Sequence, residues 1–227
     1  MKNFIADYQP EKFNVLPTIE DADQRLKELC LSDNDFLEIG SIFLRHNVQK
    51  SWGLVLLHNH FNVEKDEISL SVLSESSDIE YRTAPAKSIF GSYWPSVLSL
   101  VEGKEEILQP LEFSSDAVSK IANEILEVSE NFITEFKDYL FTRNLQEVFG
   151  LISAKQEISY DETFVELNEI NVSVLKVLKS VDAKNFDTIQ TSWYFNSNLN
   201  ETSIGCVVLC QKQQSGAHTP WHNGGRF

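Results

Sequence analysis

Hydrophobic periodicity changes character several times along the chain, and that order restricts the fold more than any other feature. Helical spacing comes first, with Ala22, Leu26, Leu29 and Cys30 on one face of residues 20–31. A second helical set follows in Phe36, Leu37, Ile39, Ile42, Phe43 and Leu44, behind the capping types Asp33 and Asn34. From Trp52 to Phe113 the pattern changes to that of strands. A buried-type strand is predicted over 53–60, Ile68 to Val72 alternate, and Pro85, Pro95 and Pro110 punctuate the rest. Residues 115–140 then return to helical spacing without Pro or Gly, through Val118, Ile121, Ala122, Ile125, Val128, Phe132, Ile133, Phe136 and Leu140. Strand-like segments at 148–153, 163–167, 172–178, 187–194 and 204–211 complete the chain.

This segregated order predicts an α+β fold: a mainly antiparallel sheet with two amino-terminal helices and one long central helix. No Gly/Ser/Pro-rich linker divides the strand groups, so residues 1–227 read as one domain. Residues 1–17 read as an irregular lead-in, and 212–227 as a tail docked by histidines. No repeat of helix pairs or strands at a fixed period is visible. Cys30 reads as a core residue, and Glu112 and Glu166, each between apolar neighbours, read as solvent-facing, with an inward acid/base role for Glu112 as the other option.

Charge narrows the functions. Asp and Glu number 34 against 19 Lys and Arg, a net charge of -15. A general phosphate-backbone binder needs clustered cations, so no nucleic-acid partner is expected. No run approaches the roughly 18 apolar residues of a membrane-spanning helix, and the first residues lack a signal-peptide pattern, so a cytoplasmic protein without a membrane partner is expected. The acidity also suits a basic protein partner.

Four of the five histidines fall in two pairs. His58 and His60 close the apolar strand, where residues two apart share a face and both imidazoles would point at one centre. His218 and His222 flank Thr219-Pro220-Trp221, and Pro220 excludes a helix there. Together they form a candidate site for a divalent metal, zinc or iron, with Glu64 and Glu67 as oxygen ligands or proton acceptors. Cys206 and Cys210 share a strand face nearby and read as either ligands or core.

Known templates fit poorly. Gly53, His58, His60 and Glu64 approximate the first metal motif of cupins, but the glycine spacing is one residue short and the next histidine lies more than 150 residues away. No phosphate-binding loop, dinucleotide fingerprint or nucleophile elbow occurs. Leu56-Leu57-His58-Asn59-His60-Phe61, Pro110-Leu111-Glu112-Phe113, Trp193-Tyr194-Phe195 and Gly216-Ala217-His218 resemble, in that order, an uncharacterised group of fungal and microbial proteins. The resemblance implies that the two distant histidine segments belong to one arrangement, and it implies no activity.

Three functions remain open at this point. The first is a metal-dependent enzyme, hydrolase or oxygenase, acting on a small-molecule substrate, with His58, His60, His218 and His222 around the metal. The others are an acidic protein-binding module of immunity or adaptor type, and a structural metal clamp.

Overall fold

The computed structural model describes residues 4–73, 79–86, 93–102, 107–154, 162–169, 172–179, 187–195 and 204–211. Capping groups set the helix starts. Helix α1 (Pro10–Asn14) opens on a proline, whose missing N–H is no loss in a first turn. The Thr18 hydroxyl caps α2 (Ile19–Glu28) by accepting from Asp21 N–H at 3.2 Å. A capping box between Ser32 and Asp35 opens α3 (Asp33–Arg45), so the cap lies one residue before the expected Asp33. Asp116 caps α4 (Ala117–Glu127), accepting from Ser119 N–H at 2.6 Å. Helix α5 (Glu130–Thr142) follows after two residues. No described helix is long and apolar enough to cross a membrane.

The strands are β1 (Trp52–Leu56), β2 (Glu67–Leu73), β3 (Ile79–Pro85), β4 (Trp94–Leu100), β5 (Leu108–Ser114), β6 (Phe149–Ser153), β7 (Glu162–Glu169), β8 (Val172–Lys179), β9 (Thr188–Phe195) and β10 (Ile204–Gln211). They close into a ten-strand barrel in the order β1-β6-β4-β5-β2-β3-β8-β7-β10-β9, and β9 returns to β1. Closure leaves no unpaired edge. The seams β2·β5 and β7·β10 are parallel and the others antiparallel.

The strand period divides the main apolar residues between the two faces of the sheet, and a smaller cluster forms at Ile68, Leu70 and Phe113. Trp52, Leu54 and Leu56 join the helices in one cluster with Phe43, Phe132, Phe136 and Phe195, outside the barrel. Val55 and Leu57 point the other way, into a cluster with Tyr81, Val97, Leu111, Ile152, Leu175 and Tyr194 inside it. Phe13 of α1, fully buried, belongs to the interior cluster and packs on Phe61 with ring centroids 5.9 Å apart. The expected irregular lead-in therefore supplies a plug for the barrel.

The two halves of the chain repeat one plan. Exchanging each of β1 to β5 for the strand five places later returns the same ring read backwards. Helices α3 and α5 are both 13 residues long, β1 and β6 both 5, and each second member starts 97 residues after the first. The link between them repeats bond by bond. Val48 N–H donates to Phe43 O at 3.0 Å, and Leu145 N–H to Leu140 O at 2.8 Å. Asn47 and Asn144 take the left-handed conformation at φ 57° and 56°. Leu54 and Leu151, equivalent by this shift, pair across β1·β6 and mark the pseudo-twofold axis. Bulges repeat too: β4 skips Ser96 between Pro95 and Val97, and β9 skips Thr191 between Gln190 and Ser192.

Several expectations are corrected. The expected mainly antiparallel sheet with two amino-terminal helices and one long central helix gives way to a curled, closed sheet, antiparallel at all but two seams, with three helices before it and two in the centre among the described residues. Residues 115–140 form two helices, because the Ser129 hydroxyl donates to Ile125 O at 2.7 Å and Ser129 leaves helical geometry. That break rotates the buried face: Val118, Ile121 and Val128 are exposed, and Ser119, Ala122, Asn123 and Leu126 face the sheet. Cys30 lies beyond the end of α2 at φ 49° and is exposed rather than core. The repeat, invisible as a period in the sequence, is present in the fold.

Two predictions follow from the axis. A Cβ on Gly53 would sit 2.8 Å from Trp193 O, and one on Gly150 would overlap Leu98 O, the equivalent contact of the other half. Gly150→Ala should therefore destabilise the protein by about 1–3 kcal/mol; urea unfolding with no measurable loss would refute the close approach. Across the axis, His46 Nε2 lies 2.6 Å from Glu135, which Arg45 also contacts, and Arg143 lies 2.7 Å from Glu38. Hydrogen bonds from His46 and then Arg45 hold the Glu135 carboxyl below its ordinary 4.5. A depressed carboxyl stabilises the fold above its ordinary value, and this contribution is lost as pH falls through the lower folded value. Wild type should thus lose stability more steeply than Glu135→Gln below about pH 4.5, and parallel pH curves from chemical unfolding would show that the contact contributes nothing.

Candidate functional site

Strand β1 ends at Leu56, two residues before the first histidine, so the expected strand at 53–60 is shorter and the histidine pair lies on the loop that leaves it. The pairing survives for a different reason. Leu57 N–H still donates to Val148 O at 2.8 Å and Asn59 N–H donates to Pro17 O at 3.0 Å, which pins the loop at both points. His58 and His60 are 8% and 6% exposed, and their rings meet edge to face with centroids 4.5 Å apart. The ring of Tyr81 on β3 lies 6.3 Å from that of His60.

Both histidines line a cavity of about 30 Å³ in the barrel interior. That is room for about two waters, at roughly 10–15 Å³ for each. The wall is mostly apolar, with Phe13 and Leu16 from the plug and Val55, Val97 and Ile152 from the strands. Its polar part comprises His58, His60, Tyr81, Glu112, Thr191 and Ser192.

Glu112, flanked by Leu111 and Phe113, was expected on the solvent side, with an inward position as the other option. The bulges select the inward one. Glu112 pairs with Val97 while Pro110 pairs with Leu98, so Leu111 is an extra residue and the inside–outside alternation resets. Leu111 and Glu112, neighbours in sequence, then both line the cavity, and Glu112 is only 5% exposed. Burial, and after it the charge of Glu112, push the Tyr8 phenol well above its usual range.

Glu64 and Glu67, the expected proton acceptors, stay outside. Glu64 is exposed, and Glu67 accepts Glu64 N–H at 3.1 Å as the chain turns into β2; neither lines the cavity. Glu112 occupies the place foreseen for them. His218 and His222 lie outside the described residues, as do the side chains of Cys206, Cys210 and Glu166. His46 lies elsewhere, on Glu135. Among the described residues, no group of three or more His, Cys, Asp or Glu is placed to hold a metal ion. The described part of the site thus offers two nitrogen donors and no third ligand.

The hydrogen bond of His58 fixes its chemistry. Its Nδ1 lies 2.7 Å from Leu56 O, and a carbonyl only accepts, so Nδ1 carries the proton. In the neutral ring the lone pair is then on Nε2. Tyr81, Thr191 and Ser192 carry no motif and reach the cavity only through the barrel closure. Glu112 beside Pro110 carried the one usable sign, since a proline inside a strand marks an irregular pairing.

No family model, curated protein or solved structure matches the chain.

The tautomer is directly measurable. Long-range ¹H–¹⁵N spectra at neutral pH should show His58 protonated at Nδ1, and a signal protonated at Nε2 alone would contradict the hydrogen bond to Leu56.

Proposed function

We propose that the protein is an enzyme acting on a small polar molecule, or on the reactive end of a larger one, at the His58–His60 cavity. The observation that carries this reading is the meeting of two buried imidazoles, a buried carboxylate and a phenol in a barrel interior that is otherwise apolar. Burying such groups carries a desolvation penalty that apolar filling of the same space would not, so a structural role is a weak reason to keep them. His58, with Nδ1 held by Leu56, suits the role of proton acceptor at Nε2, and the Glu112 carboxylate suits the imidazolium that results. The cavity size limits what enters to a few heavy atoms. Reaction class is best stated as proton transfer at such a fragment.

A second reading is supported by one specific feature. An imidazole whose Nδ1–H is held by a backbone carbonyl has the outer-shell arrangement common to metal ligands. On that reading His58 and His60 bind a divalent ion, zinc or iron, and His218 and His222 supply the remaining ligands. The ion would supply Lewis acidity and activated water.

One set of titrations tests both. Fragments bearing carboxylate, carbonyl or phosphate groups, and zinc ions separately, are added to the full chain while the His58 and His60 ring signals are followed by NMR. A fragment that moves both signals in wild type but not in His60→Ala supports the enzyme. Zinc bound one to one, with affinity lost at least tenfold in both His58→Ala and His218→Ala, supports the metal. If neither fragment nor zinc moves the rings, the site reading falls and an acidic protein-binding module takes its place.

A further inference from the structure

The repeat in the fold identifies which residues belong to the site and which to the barrel. Equivalent positions follow from the paired registers: the contact of Val97 with Ile152 in one half is that of Ser192 with Val55 in the other. Carried around the ring, β5 pairs with β2 through Glu112 and Ser69, and β10 with β7 through Val208 and Phe164. Glu112 is thereby equivalent to Val208. Strand β3 meets β8 across the second crossing of the axis, and the hairpin registers of β2·β3 and β7·β8 make Tyr81 equivalent to Leu175. Tyr81 and Leu175 are 5% and 2% exposed, in the same interior core.

The halves agree wherever the fold makes a demand. The helix-to-strand link, the two asparagines at positive φ, the close-approach glycines Gly53 and Gly150, and the bulges at Ser96 and Thr191 all occur twice. They disagree at the cavity. Where the first half presents Tyr81 and Glu112, the second has leucine and valine at the same places in the same barrel. A register position that carries valine in one half and a buried glutamate in the other is one at which the fold does not require the carboxyl group.

We infer that the chain is a fused pair of one helix–helix–five-strand unit, and that Tyr81 and Glu112 are site residues added in the first unit alone, set around the histidine pair for binding. This rests on the reading of the cavity as a functional site, and it extends that reading by giving the ligand a preferred end. The ligand's cationic or hydrogen-bond-donating part faces Glu112 and Tyr81, and its apolar part faces the second unit's wall at Ile152. Ser192, where the first unit has Val97, and Thr191 are the second unit's polar contribution to the same cavity.

The test exchanges residues between units in the full-length protein. Tyr81→Leu and Glu112→Val each install what the equivalent position already holds. Both variants should melt no more than about 4 °C below wild type or above it, because a residue kept for binding rather than folding costs stability or leaves it unchanged. Ser119→Ala, which breaks the buried 2.9 Å contact with Ser153 between α4 and β6, serves as the comparison and should melt lower than either. A larger drop in both exchange variants would show that the barrel needs these groups, and overturns the inference. The second readout is binding. Any fragment that moves the His58 and His60 signals in wild type should bind Glu112→Val and Tyr81→Leu at least tenfold more weakly. Equal binding by stable variants overturns the assignment of the two residues. Should no fragment bind wild type, the enzyme reading fails by itself, and the melting comparison still decides whether the two units are interchangeable at these positions.

Discussion

The seam between β1 and β6 is the constraint on which the rest of the structure depends. It lies on the pseudo-twofold axis, with Leu54 opposite its own equivalent Leu151, so any shift in register would misplace both halves at once. Glycine fixes the approach. Gly53 and Gly150 let β9 and β4 come in on either side closer than a Cβ allows, and those contacts are what extend the pair of strands into a ring. The same two strands present Trp52 and Phe149 outward into the apolar cluster they share with α3, α4 and α5, where Phe36 of α3 meets Phe149 and the Trp52 indole donates to Ala122 O of α4. Helix packing, barrel closure and interior width all follow from one short antiparallel pair.

That geometry also explains why the site lies where it does. Leaving β1 at Leu56, the chain has nowhere to go but over the barrel end, and the backbone contacts of Leu57 and Asn59 hold it there. His58 and His60 are carried inside by this route, under the plug formed by α1. The bulges at Ser96 and Leu111 then bring Glu112 to the same space from the far side of β4. A regular barrel would have put either Leu111 or Glu112 inside, and not both. Irregular pairing is therefore what brings a carboxyl group into an apolar interior, lining the same cavity as the two histidines.

Much of the element order was legible because periodicity reports local burial: the helical set of α3 and the strands after Trp52 fall where spacing puts them. What failed did so for identifiable reasons. Ser129 breaks a helix without disturbing the period, since a serine hydroxyl competes for a backbone carbonyl in a way no apolar count registers. The histidine pair was legible as a pair, though for a strand face that ends two residues earlier. Glu112 was misread because alternation assumes an unbroken ladder. Ring closure could not be read at all, as it depends on pairings such as β1 with β6 that join residues about a hundred positions apart.

The hidden repeat deserves the same account. At the 97-residue shift, equivalent segments share few identities: Ser32 with Ser129, Asn34 with Asn131, Glu38 with Glu135, Asn47 with Asn144, Gln49 with Gln146 and the Gly-Leu pairs at 53 and 150. Several answer to a condition of the fold: the serines stand at helix N-caps, the glutamates take the contacts across the axis, the asparagines at 47 and 144 make left-handed turns, and the glycines stand where strands cross too close for a side chain. The remaining positions need only be apolar and of suitable volume, and Trp52 against Phe149 or Val55 against Ile152 satisfy that without resembling each other closely. A duplicated fold thus keeps its likeness in the few residues that geometry dictates. Its differences are free to collect where geometry is indifferent, and in this barrel two of them place Tyr81 and Glu112 at one small cavity beside two histidines.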